Sequence, residues 1–134
     1  MNEKLIIDFL KNKTYLFREF SEERIVELVQ GSSLRTYEEN EGIVEYGDEA
    51  QFLGVILEGR AEASVTDNRG EKSVLMTLGP GDIINLIPLM TGELNPSDII
   101  GLEHTRVLVV PQNLFSTLIL THLPTVRAIS KMMS

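Results

Sequence analysis

The sequence predicts a mainly β domain, a barrel or sandwich of short strands with short α-helices at both ends. Three observations predict it. Residues 33–110 carry short apolar runs cut by glycine-containing turns, the pattern of a sheet that folds back on itself repeatedly. The flanks, residues 1–31 and 111–134, instead space their apolar residues three and four apart, as helices do. The 134 residues, 43% hydrophobic and 24% charged, are enough for one domain with a core of its own.

Taken in order, Glu3 to Lys11 places Leu5, Ile6, Phe9 and Leu10 on one face of a short amphipathic helix. Leu16, Phe17 and Phe20 follow as an apolar knot. Ser21 reads as an N-cap, with Glu22 and Glu23 in the first turn where the helix dipole favours acids. Ile25, Leu28 and Val29 are the buried face of that helix, and Gly31 its stop. Strands are expected at Leu34 to Glu38, from Ile43 and Val44, at Phe52 to Leu57, Ala61 to Thr66 and Ser73 to Leu78. Asp67-Asn68-Arg69-Gly70 is a hairpin turn. Within Leu78–Gly101 a Gly-Pro-Gly-Asp corner leads through two strand-like pieces flanking a short helix and a loop, a shape that can hold a small ligand. Ile99-Ile100 and Arg106 to Val110 supply the last strands. Pro111 ends the sheet and opens a helix with Leu114, Phe115, Leu118 and Ile119 on one face. Pro124 to Met133 reads as a final helix with an exposed apolar stripe of Val126, Ile129 and Met133.

Composition excludes several functions. Cysteine is absent, so disulfides, thiol catalysis and cysteine-held metal clusters are out. The net charge of -8 and scattered basic residues exclude a broad nucleic-acid surface. No apolar run reaches the ~18 residues needed to cross a bilayer, and the start is not a secretory signal. A cytoplasmic placement is expected. His104 and His122 are the only histidines, and neither has a second ligand at metal spacing. His104 is expected in an exposed turn and His122 near the end of a helix. No His or Lys stands as a base for Ser97 or Asp98, so no catalytic set converges and no enzyme, metal or cofactor is expected. The acids Glu38, Glu39 and Glu41 read as a solvated turn.

Leu16-Phe17 before a Ser-Glu-Glu helix, Gly42-Ile43-Val44 with Tyr46-Gly47-Asp48, the strand FLGVILEG, Gly70 and Leu78-Gly-Pro-Gly-Asp82 stand in an order that resembles the cyclic nucleotide-binding domain family. The helix VPQNLFSTLILTHLP resembles that family's helix after the barrel. The resemblance covers roughly residues 14–130. It implies a double-stranded β-helix, an eight-stranded jelly-roll barrel, with 1–31 as N-terminal helices, 33–110 as the barrel, 78–101 as the phosphate-binding cassette and 111–134 as C-terminal helices. It also implies a domain that regulates a larger signalling protein or transcription regulator.

The family's cassette reads approximately Phe-Gly-Glu-x-Ala-Leu, then Pro-Arg-x-Ala. Its Gly admits a close backbone, its Glu accepts from the ribose hydroxyl, and its Arg pairs with the cyclic phosphate. On this chain those positions fall on Ile84, Asn85, Leu86, Pro88, Pro96 and Ser97, with Asp98 and Ile99 following. No Arg or Lys lies between residues 73 and 105, so sliding the alignment cannot recover the Arg. Each lost bond to a charged group removes about 1.5–3 kcal/mol, so losing both weakens binding on the order of a hundredfold to ten-thousandfold. Asp98 is expected to repel a phosphate further. The candidate pocket is Asn85, Leu86, Ile87, Pro88, Ser97, Asp98 and Ile99. Leu86, Ile87, Leu89 and Met90 either line an apolar pocket or fill it, and both alternatives stay open.

The expected function is a non-catalytic regulatory or sensor domain that does not bind cyclic AMP or cyclic GMP in the family's usual way. Its ligand, if any, is a less anionic small molecule. The alternative is a ligand-free dimerisation or docking module. The apolar stripe points to a homodimer, or to a chain whose output module lies outside this sequence.

Overall fold

The computed structural model describes residues 2–133. Two helices, α1 (Glu3–Lys13) and α2 (Glu22–Gln30), precede eight strands. These are β1 (Ser33–Tyr37), β2 (Gly42–Val44), β3 (Phe52–Glu58), β4 (Ala61–Thr66), β5 (Lys72–Leu78), β6 (Ile83–Ile84), β7 (Asp98–Gly101) and β8 (Thr105–Pro111). The short helix α3 (Leu86–Thr91) interrupts them between β6 and β7. After β8 come α4 (Gln112–Leu114), a π-helical turn Phe115–Ile119 and α5 (Leu123–Met133).

The strands form two antiparallel four-stranded sheets in the orders β1-β8-β3-β6 and β2-β7-β4-β5. This matches the eight-stranded jelly roll implied by the resemblance, with one correction. The two sheets do not join into a closed barrel: β6 is only two residues long and β5 is an edge with one partner, so no ladder runs from sheet to sheet.

The runs in β3 and β8 are continuous rather than alternating, and the packing explains why. Leu53, Val55 and Leu57 of β3 and Leu108 and Val110 of β8 face a core shared with the helices. Ile56, Val107 and Val109 face the second sheet. Both faces of these central strands are covered, so every position favours an apolar residue. Gly54 lies in the same layer, where an added Cβ would come within 3.1 Å of Ile84.

The helical layer is built on Ile6, Leu10, Leu16, Phe17, Phe20, Ile25 and Leu28, all buried. Asn2 caps α1, its side chain accepting from Leu5 N–H at 2.9 Å, and Ser21 caps α2 as its sequence foretells. Gly31 does end α2, but at φ -87° rather than in a left-handed turn. Its lack of a side chain serves closeness instead: a Cβ there would stand 2.6 Å from Leu114. The π-helical turn, closed by Leu120 N–H to Phe115 C=O at 3.2 Å, turns Phe115, Leu118 and Ile119 together into the core.

The apolar stripe of α5 is also corrected. Ile129 is buried, beside Thr125 and Ala128, and Val126 is half-buried. Of the three expected residues only Met133 is exposed, alongside Leu123 and Met132. The helix has used its apolar face on the domain itself, because the rotation that docks Thr125 and Ala128 carries Ile129 inward with them.

Among the described residues, no helix is long and apolar enough to cross a membrane and no group of acidic or histidine side chains is arranged to hold a metal ion.

Candidate functional site

The Gly-Pro-Gly-Asp corner is fixed before any ligand is considered. Asp82 Oδ2 accepts from Gly79 N–H at 2.7 Å and closes the turn on itself. Gly81 N–H donates to Ile56 C=O, and Ile56 N–H donates to Asp82 C=O, which docks the corner on β3. Gly81 has φ +93°, and a Cβ there would meet the Lys13 carbonyl at 2.5 Å. Glycine is therefore required twice over, for the left-handed backbone and for the approach of the end of α1.

From this corner β6 leads to Asn85, at φ +71° and ψ 13°. The resemblance puts the family's cassette glycine here, and the backbone has the left-handed form that glycine adopts freely and asparagine tolerates. The Asn85 side chain turns away and donates from Nδ2 to Phe52 C=O at 3.1 Å. Helix α3 follows and ends at Gly92, whose φ is +76°.

Between the second sheet, the corner and α3 lies an open cavity of about 590 Å³. Asn85, Leu86, Ile87, Pro88, Ser97 and Ile99 all line it, so six of the seven residues expected from the sequence are brought together. Leu86 and Ser97 are buried in its wall, while Ile87 is half-exposed. Leu89 and Met90 lie outside the lining and pack against the helical core instead. The cavity is thus open rather than filled.

Asp98 is the exception and the correction. Strand alternation turns Ile99 to the cavity and Asp98 to the other face of β7. There Oδ1 accepts from Tyr46 N–H at 2.8 Å. The carboxylate fastens the Tyr46-Gly47-Asp48 turn and does not face the ligand space.

Sequence reasoning missed several lining residues. Lys13, Tyr15 and Leu16 come from the end of α1 and the knot after it, Ala63 and Met76 from β4 and β5, and Met132 from α5. Only the tertiary fold gathers these distant segments. Asn95 also lines the cavity and is 5% exposed. Its Nδ2 donates to Glu45 C=O at 3.3 Å, and its Oδ1 is buried without a hydrogen-bond partner among the described residues. An unsatisfied buried acceptor costs about 1–3 kcal/mol. A buried asparagine beside Pro96 is a signal that reading by turn chemistry alone passes over.

The two histidines lie elsewhere. His104 is exposed in a turn, as expected, with Nδ1 3.0 Å from Glu38 Oε1. His122 follows the π-helical turn, at the junction with α5, and stacks edge-on against Phe20 with ring centroids 5.0 Å apart. Its Nδ1 is 2.7 Å from Thr125 Oγ1. Burial, and secondarily the charge of Arg24, hold its pKa below the usual 6.5, with Glu19 opposing. The folded chain therefore binds this proton less readily than the unfolded one. The contribution of this group to stability is fully present above pH 6.5 and is lost as the pH drops from there through the folded-state pKa. His122→Gln is expected to flatten the dependence of Tm on pH below 6.5; thermal denaturation across the mildly acidic range checks it, and an unchanged slope contradicts it.

Residues 34–122 match the sequence profile described as cyclic nucleotide-binding domain. Among curated proteins, a lysophospholipase NTE1 of Coccidioides immitis is 30% identical over 88 residues, 66% of this chain and 6% of that protein. Among solved structures, the sensor domain of the transcriptional regulator DNR from Pseudomonas aeruginosa superposes with a TM-score of 0.89 at 11% identity. That match covers 98% of this chain and 87% of the other. The regulatory subunit of a cAMP-independent protein kinase A from Trypanosoma brucei, in a triply substituted form bound to cAMP, superposes with a TM-score of 0.83 at 22% identity. It is covered to 47%, and this chain to 98%. One of its three substitutions is threonine to arginine. The chain thus spans a small fraction of the curated relative and about half of the kinase subunit.

Proposed function

The chain belongs to the cyclic nucleotide-binding domain family, and from that premise we propose that it is a non-catalytic sensor domain whose pocket does not take cyclic AMP or cyclic GMP in the family's usual mode. One observation carries the reading. The cavity is open, yet Leu86, Pro88 and Ser97 line it where the family's acid, backbone donor and arginine would stand. A cyclic phosphate entering there would give up its hydration to the apolar wall of Leu86 and Pro88, a cost that no cation on the cassette segment repays. Proline also lacks the N–H that would otherwise be offered.

The comparison with the trypanosomal kinase subunit supports this. That protein is described as cAMP-independent, and the form bound to cAMP carries an added arginine. The likeness to a transcriptional regulator's sensor domain supports a regulatory role, with the output carried by another domain or another protein. The lysophospholipase match covers only 6% of that enzyme, and the catalytic work of such a protein is not assigned to this domain.

Isothermal titration with cyclic AMP and cyclic GMP tests the reading. No binding heat is expected up to about 1 mM nucleotide, a binding energy weaker than about -4 kcal/mol. A dissociation constant below about 10 µM, near -7 kcal/mol, would overturn it.

A second reading, a docking module, is favoured by β5. This edge strand exposes Val74, Leu75 and Met76 in succession, an apolar surface that edge strands usually guard with charge. On this reading the domain is a ligand-free docking module that acts through the β5 edge and not through the cavity.

A further inference from the structure

The cassette segment offers no cation, but Lys13 lines the cavity and three more cations line the one beside it. The chain carries 20 acidic and 12 basic residues. Around the main cavity and a smaller one of about 350 Å³ beside it that balance reverses. Lys13 lines the first, and Arg18, Arg127 and Lys131 line the second. The acids in the two linings are Asp82 and Glu19. Asp82 is already committed to Gly79 N–H.

The two cavities are neighbours. Tyr15 lines both, and its ring carries the Arg18 guanidinium 5.2 Å from its centroid. Residues 131 and 132 of α5 divide between them, Met132 in the apolar cavity and Lys131 in the basic one. The aliphatic chamber and the cluster of cations thus share Tyr15 as a common wall. Part of the Lys13 charge answers the C-terminal dipole of α1, so Arg18 and Arg127 carry most of the selectivity.

We propose that the pocket takes an amphipathic monoanion, an apolar body bearing one carboxylate or similar group, with the body in the chamber and the anion at the mouth by Arg18 and Arg127. The proposal rests on the reading of the cassette as unable to hold a phosphate, and it names the ligand class for that same cavity. The chemistry divides sensibly. Burial of the apolar body supplies most of the affinity, while exposed cations, each weak in water, discriminate by charge. An anion held at the mouth keeps its outer face in solvent and avoids the desolvation that a phosphate would meet at Leu86 and Pro88.

Two probes of one skeleton test this: 8-anilinonaphthalene-1-sulfonate, which bears one anion, and uncharged N-phenyl-1-naphthylamine, both followed by fluorescence. Both are expected to bind the native domain. In Arg18→Gln/Arg127→Gln the sulfonate is expected to bind about fivefold to tenfold more weakly, with the amine changed less than about twofold. Raising the salt to about 0.5 M should shrink the same difference. Ala63→Phe, which fills the chamber, and Ser97→Leu as a milder filling are expected to weaken both probes together. If the amine binds and the arginine pair makes no difference to the sulfonate, the anion proposal fails and the open apolar pocket stands. If neither probe binds the native domain, or either persists undiminished in both filled variants, the pocket reading fails with it.

Discussion

Placing arginine at Ser97 and glutamate at Leu86 is expected to raise cyclic AMP affinity by about a hundredfold to ten-thousandfold, from the two charge-assisted contacts regained. The backbone for this already exists. Asn85 holds the left-handed conformation at the cassette's glycine position, and Ser97 and Leu86 both line the open cavity. The double variant supplies the two charged side chains that the family's cassette uses. Ser97 is 7% exposed, so the new guanidinium would be largely withdrawn from water, where its pairing with a phosphate is strongest. Leu86 is also part of the helical core, so its replacement is expected to cost about 2–4 kcal/mol of stability. The single variant Ser97→Arg isolates the phosphate contact: it should recover part of the affinity, and its loss of Tm in the free domain, from burying an unpaired guanidinium, should shrink when nucleotide is added. Pro88 stays, and its absent N–H caps the gain below what a complete cassette achieves. Calorimetric titration decides the matter. A natively folded double variant with no gain would mean that the cassette does not frame the nucleotide as the alignment supposes.

Truncating Phe115 to alanine is expected to destabilise the domain by about 3–5 kcal/mol, a fall in Tm of about 10–15 °C for a chain of this size. Phe115 is 1% exposed and belongs to the core that joins α1, α2, the π-helical turn and α5 to the outer face of β3 and β8. The wide turn places Phe115, Leu118 and Ile119 inward together, so the truncation leaves a cavity within that shared cluster. Leu123→Ala, at an exposed position in the same C-terminal segment, is expected to cost under about 0.5 kcal/mol. Urea denaturation of the two variants checks the contrast, and a loss below about 1 kcal/mol for Phe115→Ala would show that this helical layer is not the shared core described here. Because α5 brings Met132 to the cavity, Phe115→Ala should also weaken binding of an apolar probe before it unfolds the domain.

The particular elements show which parts of the molecule are legible in one dimension. The Ser21 cap, the Asp67–Gly70 turn and the strand Ala61–Thr66 obey local chemistry, and each stands where its residues place it. Turn residues and caps act over three or four positions, so a single chain segment carries the whole signal. Six of the seven residues named from the Leu78–Gly101 segment line one cavity, because they are close neighbours along the chain.

Other features were decided by neighbours far away in sequence. Asp98 faces Tyr46 and not the cavity because the pairing of β7 with β2 and β4 fixes which face each residue takes. The stripe on α5 turned inward because the knot at Leu16, Phe17 and Phe20 and the π-helical turn had apolar surface for it to cover. A helix's apolar face is visible in its sequence; what covers that face is not. The same holds for the four cations of the two adjoining cavities, which lie on three segments that no linear spacing connects. Sequence by itself determined the fold class, the turns and which residues stand in the Leu78–Gly101 segment, since these depend on residue identity at short range. The openness of the pocket, the facing of Asp98 and the charge at its mouth were decided by tertiary structure, since each is a distance between segments that only packing brings together.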